Sequence, residues 1–235
     1  MKQYLRKIRF WVLSLTWGLP TTLVGGLVML ILIIFKYKPK KFGYTYYINI
    51  GKNWGGLELG AFFLTDRTDN YKTKCHEHGH CLQNTWMGPL FPFIVGIPSI
   101  LRYWLYRFKT DKNRTIFAVL VGIILVVLGG ILPILGYILN IIWLKSFGWF
   151  VFSQLLRIQI WLVYIELPKF QNCRGALPRY DSIWTEGNAT EVGTNLIREL
   201  EVRVNEQKIH EMVKEIKVEV EKSSKDIIKN NPITF

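Results

Sequence analysis

Residues 76–80 read His-Glu-His-Gly-His, an H-E-x-x-H pattern. On a helix, positions i and i+4 lie on one face, so His76 and His80 can both turn imidazole nitrogens toward one metal ion. Glu77 follows the first of them and leans toward a metal-bound water. Zinc lowers the pKa of such a water toward ~7, and a neighbouring carboxylate takes its proton as it attacks a carbonyl. The chemistry would be metal-assisted hydrolysis, with Glu77 as the catalytic base and His76 and His80 as metal ligands. A helix is plausible here, because KTKCHEHGHCLQNTW at 72–86 holds no proline. Gly79 weakens that helix but lets another element pass close.

The pattern alone is weak, since three fixed positions in five recur by chance. A catalytic zinc needs a third protein ligand. Residues 184–193, WTEGNATEVG, offer Glu186, with Ala189 and Gly193 following it at helical spacing. Two small residues on the face of Glu186 would let this helix approach the first and bring a carboxylate to the metal. Glu191 and Asp181 compete for the same role. His78 reads as an exposed residue or one just behind the ligands, and His210 as solvated. Cys75 and Cys81 stand too far apart on a helix to bridge and read as small apolar fillers beside the site. With Cys173 they make an odd number without CxxC spacing, which is neither a disulfide framework nor a zinc ribbon. Glu58 reads either as a partner orienting a ligand histidine or as a charge at a strand edge.

HEHGH followed by Glu in an E-x-x-A setting resembles the gluzincin type of HExxH zinc metallopeptidase. More narrowly, WGGLELGAFFL, HEHGHCLQN, GPLFPFIVGIPS and YDSIWTEGNATEVGT resemble a family of small, uncharacterised bacterial zincin-like membrane proteins. The likeness covers roughly residues 10–107 and 178–196. It implies a zincin fold around the site, Zn²⁺ held by His76, His80 and Glu186, and Glu77 as base. It implies no substrate. The chain departs from that pattern in an apolar insertion at 108–177 and in a charged tail after 196.

The elements that must position these residues are set largely by apolar runs. The chain has 235 residues, of which half are hydrophobic and 20% charged, against about 25% for ordinary soluble domains. Phe10–Phe35 carries no charge over 26 residues, which fits one tilted crossing of a bilayer but not two. Pro20 allows a kink that would leave residues 10–17 along the interface. Ile116–Leu144 is uncharged over 29 residues, and Phe147–Ile165 follows after only Lys145 and Ser146, so the two read as a helical hairpin. Arg157 within the second run bonds to a neighbouring helix or snorkels. Met87–Tyr106 is apolar but holds Pro89, Pro92 and Pro98, which fits an interfacial or re-entrant segment.

The expected fold is therefore an α-helical membrane protein with a small α+β zincin-like core. It has about three transmembrane helices and one proline-broken segment. Its parts are a basic segment and anchor at 1–36, a zincin-like core at 37–107, an inserted hairpin at 108–177, a third-ligand helix at 178–196 and a charged amphipathic helix at 197–235. YTYYINIG at 44–51 and WGGLELGAFFL at 54–64 predict a small sheet. Ile209, Val213, Ile216 and Val220 give 205–222 an apolar seam that packs on its own domain or on a partner helix.

Glu186 must lie on the same side of the membrane as His76 and His80, so 108–177 must cross an even number of times. Lys36, Lys38, Lys40, Lys41, Arg102, Arg107, Lys109, Lys112 and Arg114 stand near the spans on the site-bearing side. Lys2, Arg6, Lys7, Arg9 and Lys145 lie on the other. The positive-inside rule then turns the site to the cytoplasm of a bacterial cytoplasmic membrane. The net charge of +13 fits anionic lipid. No nucleic acid is expected, because no helix-turn-helix, RNP or finger pattern appears. The leading expectation is a membrane-bound zinc metallopeptidase acting on an unknown peptide or protein. The alternative is a non-catalytic membrane scaffold that keeps a zincin-like core.

Overall fold

The computed structural model describes residues 2–173 and 177–230, and the side chains of 3–173 and 177–217. It is mostly helical with one small sheet. The sheet is built from β1 (Lys40–Phe42), β2 (Thr45–Asn49), β3 (Gly56–Leu59) and β4 (Phe62–Thr65), in the order β1-β2-β4-β3. Both outer pairings are antiparallel and the central β2/β4 pair is parallel. β3 is thus an edge strand.

Helices cover both faces of this sheet. Along β2, Tyr47 and Ile48 are both buried and point to opposite faces, as strand geometry requires. On the Tyr47 face, Phe10, Tyr44, Ala61, Phe63 and Cys81 join α1 (Lys2–Leu15) and α3 (Tyr71–Met87) to the sheet. On the Ile48 face, Leu64 and Met29 join it to α2 (Leu19–Ile34). Asn70 caps α3, its side chain accepting from the backbone N–H of Lys72 at 2.9 Å.

The apolar run at 10–35 is not one straight crossing. α1 and α2 meet at 92°, with Pro20 in the first turn of α2, where its missing N–H costs nothing. α1 lies on the core, and Arg6 pairs with Glu199 at 2.9 Å. Arg6 is thereby tied to α8, the helix that also carries Glu186.

The proline-rich segment is helical throughout but broken. A 3₁₀ turn (Gly88–Leu90) and a π turn (Pro92–Gly96) lead into α4 (Ile97–Arg107), bent 114° from α3. α5 (Asp111–Ile138) and α6 (Ile142–Trp161) form the hairpin. A π turn (Leu162–Glu166) and α7 (Leu167–Gln171) continue α6 back to the core. The turn lies at 139–141, with Asn140 at φ 51°, and not at Lys145-Ser146, which fall inside α6. Lys145 instead donates to Asn140 Oδ1 at 2.8 Å and steadies the turn.

Two helices, Asp111–Ile138 and Ile142–Gln171, are long and apolar enough to cross a membrane, and up to four if each bent pair counts as one span. Leu101 and Leu105 of α4 pack on Ala118, Leu155, Ile158 and Leu162 of the hairpin. The hairpin's return is locked there by a buried pair, Arg102–Glu166. A last helix, α8, runs unbroken from Trp184 to Asn230, through the expected division at 196/197. Ile209, Val213 and Ile216 are exposed on it, so this seam does not pack on its own domain; Val220 lies outside the described side chains.

Candidate metal centre

α3 and α8 cross at the small residues. A Cβ on Gly79 would stand 1.9 Å from the Ala189 carbonyl oxygen, and one on Gly193 equally close to that of Cys75. Only glycine allows this approach, and it brings the first turn of α8 onto the H-E-x-x-H face. His76, His80 and Glu186 converge there. Glu186 Oε2 lies 3.1 Å from His76 Nε2 and 3.4 Å from His80 Nε2. The two Nε2 atoms are 3.1 Å apart.

The neighbouring hydrogen bonds fix which ring nitrogens carry protons. Gln83 donates its amide to Thr185 O at 2.8 Å and to Asn188 Oδ1 at 3.0 Å. Its Oε1 is thereby left to accept from His80 Nδ1 at 2.8 Å. Thr190 donates its hydroxyl to Glu186 O, so its oxygen accepts from His76 Nδ1 at 2.8 Å. In its neutral form each imidazole then carries its proton on Nδ1 and leaves Nε2 bare. Two lone pairs and a carboxylate oxygen then face one another with no donor among them. Glu186 is fully buried, and neither carboxylate oxygen accepts a hydrogen bond.

A cation at the centre would satisfy all three atoms. Ligand atoms on a tetrahedral ion with bonds of ~2.0–2.1 Å stand about 3.3 Å apart, and the observed triangle of 3.1 to 3.4 Å matches. The three residues could hold a metal ion.

Glu77 points to the other side of the helix edge, toward β3. Gly56 lets the strand come close, since a Cβ there would meet Glu77 Oε1 at 2.5 Å. Burial pushes the Glu77 carboxyl up to about 7; His76 and the Glu58 backbone N–H pull it down, while Glu186 adds to the rise. The Glu58 side chain is buried, accepts from the Gly60 N–H and faces Glu77. It stands on the edge strand, as one of the two readings had it, but is buried, and no ligand histidine is its partner.

The competing carboxylates stay out of the cluster: Glu191 is exposed, and Asp181 pairs with Arg179 at 2.8 Å. His78 is fully buried behind α3, where its Nε2 accepts the Tyr44 N–H at 3.2 Å. Burial holds its pKa at about 4, so it is a neutral strut for the sheet and not an exposed residue. Cys75 and Cys81 are buried free thiols, as expected, and His210 is exposed.

His76, His80 and Glu77 line a cavity of about 1020 Å³, together with Leu57, Phe91, Val95, Ile100 and Tyr103. Tyr180 also lines it, held by Ser99 at 2.9 Å. Gln83, Thr190 and Tyr180 escaped the reading of the sequence. For two of them a signal existed: Gln83 stands three residues after His80 and Thr190 four after Glu186, each on its ligand's own face.

Compared with protein-family models, curated proteins and solved structures, the chain matches none. The site therefore rests on its own geometry.

Proposed function

We propose that the chain is a membrane-bound, gluzincin-like zinc metallopeptidase that hydrolyses a peptide bond at the cytoplasmic membrane surface. The observation that carries this reading is the set of three lone-pair-bearing atoms, 3.1 to 3.4 Å apart, that face one another without a donor. Two imidazoles and one carboxylate, with room left on the cavity side, are the donor set of a catalytic zinc site. A zinc ion held by His76, His80 and Glu186 would supply a Lewis acid and acidify water. Gln83 and Thr190 keep the ligand tautomers. Glu77 receives the proton of the attacking water and passes it to the leaving amine.

A peptide substrate is favoured by β3. Its free edge lines the cavity beside Glu77, and an extended peptide can pair with such an edge through its main chain. The membrane assignment takes α5 and the α6–α7 rod as the spans. It leaves α3 in the core, where Glu77, His78, Gln83 and Asn84 are buried against protein. The cytoplasmic orientation is supported by charge: Arg6 stands on the site-bearing side, and the described hairpin tip carries Lys145 alone.

The test is cleavage of a quenched-fluorescent peptide library by the zinc-loaded, detergent-purified chain beside Glu77→Gln. Turnover that falls by about 10²–10⁴-fold in the variant is expected for loss of a positioned base. Wild type with no more activity than Glu77→Gln would overturn the peptidase reading and leave a scaffold.

A further inference from the structure

Two kinds of exposed side chain line the cavity. Lys72 and Arg179 form a polar rim, with Asp181 in the same lining. Val24 on α2 and Ile100 and Tyr103 on α4 form apolar lips where these two helices border the cavity, exposed at 52%, 48% and 38%. These lips are not isolated. Leu23 and Leu27 continue the bare apolar face of α2 beside Val24, and Trp104 continues that of α4. α4 in turn packs its opposite face on the hairpin, whose outer surface is apolar over a membrane's length. An exposed apolar surface that runs from a spanning hairpin to the mouth of a cavity is solvated by lipid and not by water.

We infer that these lips frame a lateral portal, and that the substrate is a polypeptide anchored in the bilayer by an apolar segment. The segment lies against the lips on α2 and α4 while the adjoining extended chain reaches β3 and the metal. This inference rests on the membrane and peptidase reading above and narrows its substrate. A peptide is the occupant because β3 is an edge strand that lines the cavity beside Glu77, and an extended chain can pair with main-chain groups there that an acyl chain cannot engage.

The test places a nitroxide on one lip through Ile100→Cys, and in a second protein on the polar rim through Lys72→Cys. Both carry Cys173→Ser; Cys75 and Cys81 are 1% and 0% exposed and do not label. Val24→Cys reports the same portal from its other side should the Ile100 variant fold poorly. The full chain is reconstituted in phosphatidylethanolamine–phosphatidylglycerol vesicles. The lip label should relax with dissolved oxygen and not with a polar nickel chelate, and the rim label should do the reverse.

A single-span polyleucine peptide with a polar extension is then added. It should slow the lip label, and the extension alone, at equal concentration, should leave it unchanged. A lip label as open to the nickel chelate as the rim label, or one that ignores the anchored peptide, overturns the portal. Neither measurement needs turnover. A lipid-facing, peptide-sensitive lip in a chain that cleaves nothing would sink the peptidase reading alone.

Discussion

At the scale of single residues, the site divides its labour between two carboxylates. Glu186 faces the two imidazoles and has no other partner, while Glu77 stands beside them with its own neighbours on β3. The metal-free chain offers a test through pH. Burial holds Glu77 at about 7, against 4.5 for the free side chain. Between those values the folded chain keeps a proton that the unfolded chain has lost, so the stability Glu77 contributes in acid disappears as pH rises through about 7. Glu77→Gln has no such proton. In chelator, its stability relative to wild type should improve from pH 5 to pH 8 by up to about 3 kcal/mol, read by thermal or denaturant unfolding. A difference that stays constant with pH would mean that Glu77 is solvated and unfit as a tuned base. His78 runs the other way. Its pKa of about 4 means that stability is lost as pH falls below about 6.5, but it is common to both proteins and cancels in the comparison.

At the scale of elements, the crossing of α3 and α8 builds the site. Gly79→Ala puts a methyl group against the Ala189 carbonyl, which is backbone and cannot step aside. The helices must separate, at about 1–3 kcal/mol for overpacking of this kind or more. The expected result is zinc lost from a chain whose ligands are all intact, read as metal per chain. Full occupancy would show that the crossing does not set the ligand positions. A second element-level device is the Arg102–Glu166 pair. Both side chains are fully buried, and Arg102 also donates to Arg179 O and Ser182 Oγ just before α8. Glu166→Ala strands the guanidinium and should cost about 3–5 kcal/mol, whereas Arg102→Met with Glu166→Leu should cost less than the single change. Thermal unfolding in detergent checks the order.

Much of this level could be read in the chain. The H-E-x-x-H helix, the E-x-x-A-x-x-x-G spacing, the small sheet and the hairpin all follow from local period and residue size. Three features did not. The turn at Asn140 lies inside an uninterrupted apolar run, where hydropathy has no contrast. The burial of His78 depends on Tyr44, 34 residues away. The exposure of Ile209, Val213 and Ile216 depends on α8 continuing past the core, which no local pattern limits.

At the scale of the whole molecule, a sheet layered between helices is joined through α4 to a hairpin whose outer face is apolar. Ile123, Ile124, Val127 and Leu128 of α5 are all more than half exposed. Such a surface should keep the chain in the membrane fraction until detergent is added, and recovery as a monodisperse soluble protein would contradict the assignment of the spans. The central claim is that this membrane-borne core holds one zinc ion through His76, His80 and Glu186 while Glu77 holds none. It is tested most directly by zinc per chain, measured on the full chain purified in detergent. Wild type and Glu77→Gln should each carry one, and His76→Ala, His80→Ala and Glu186→Ala should each fall well below. A wild type without stoichiometric metal, or an Glu186→Ala that keeps it, would contradict the account.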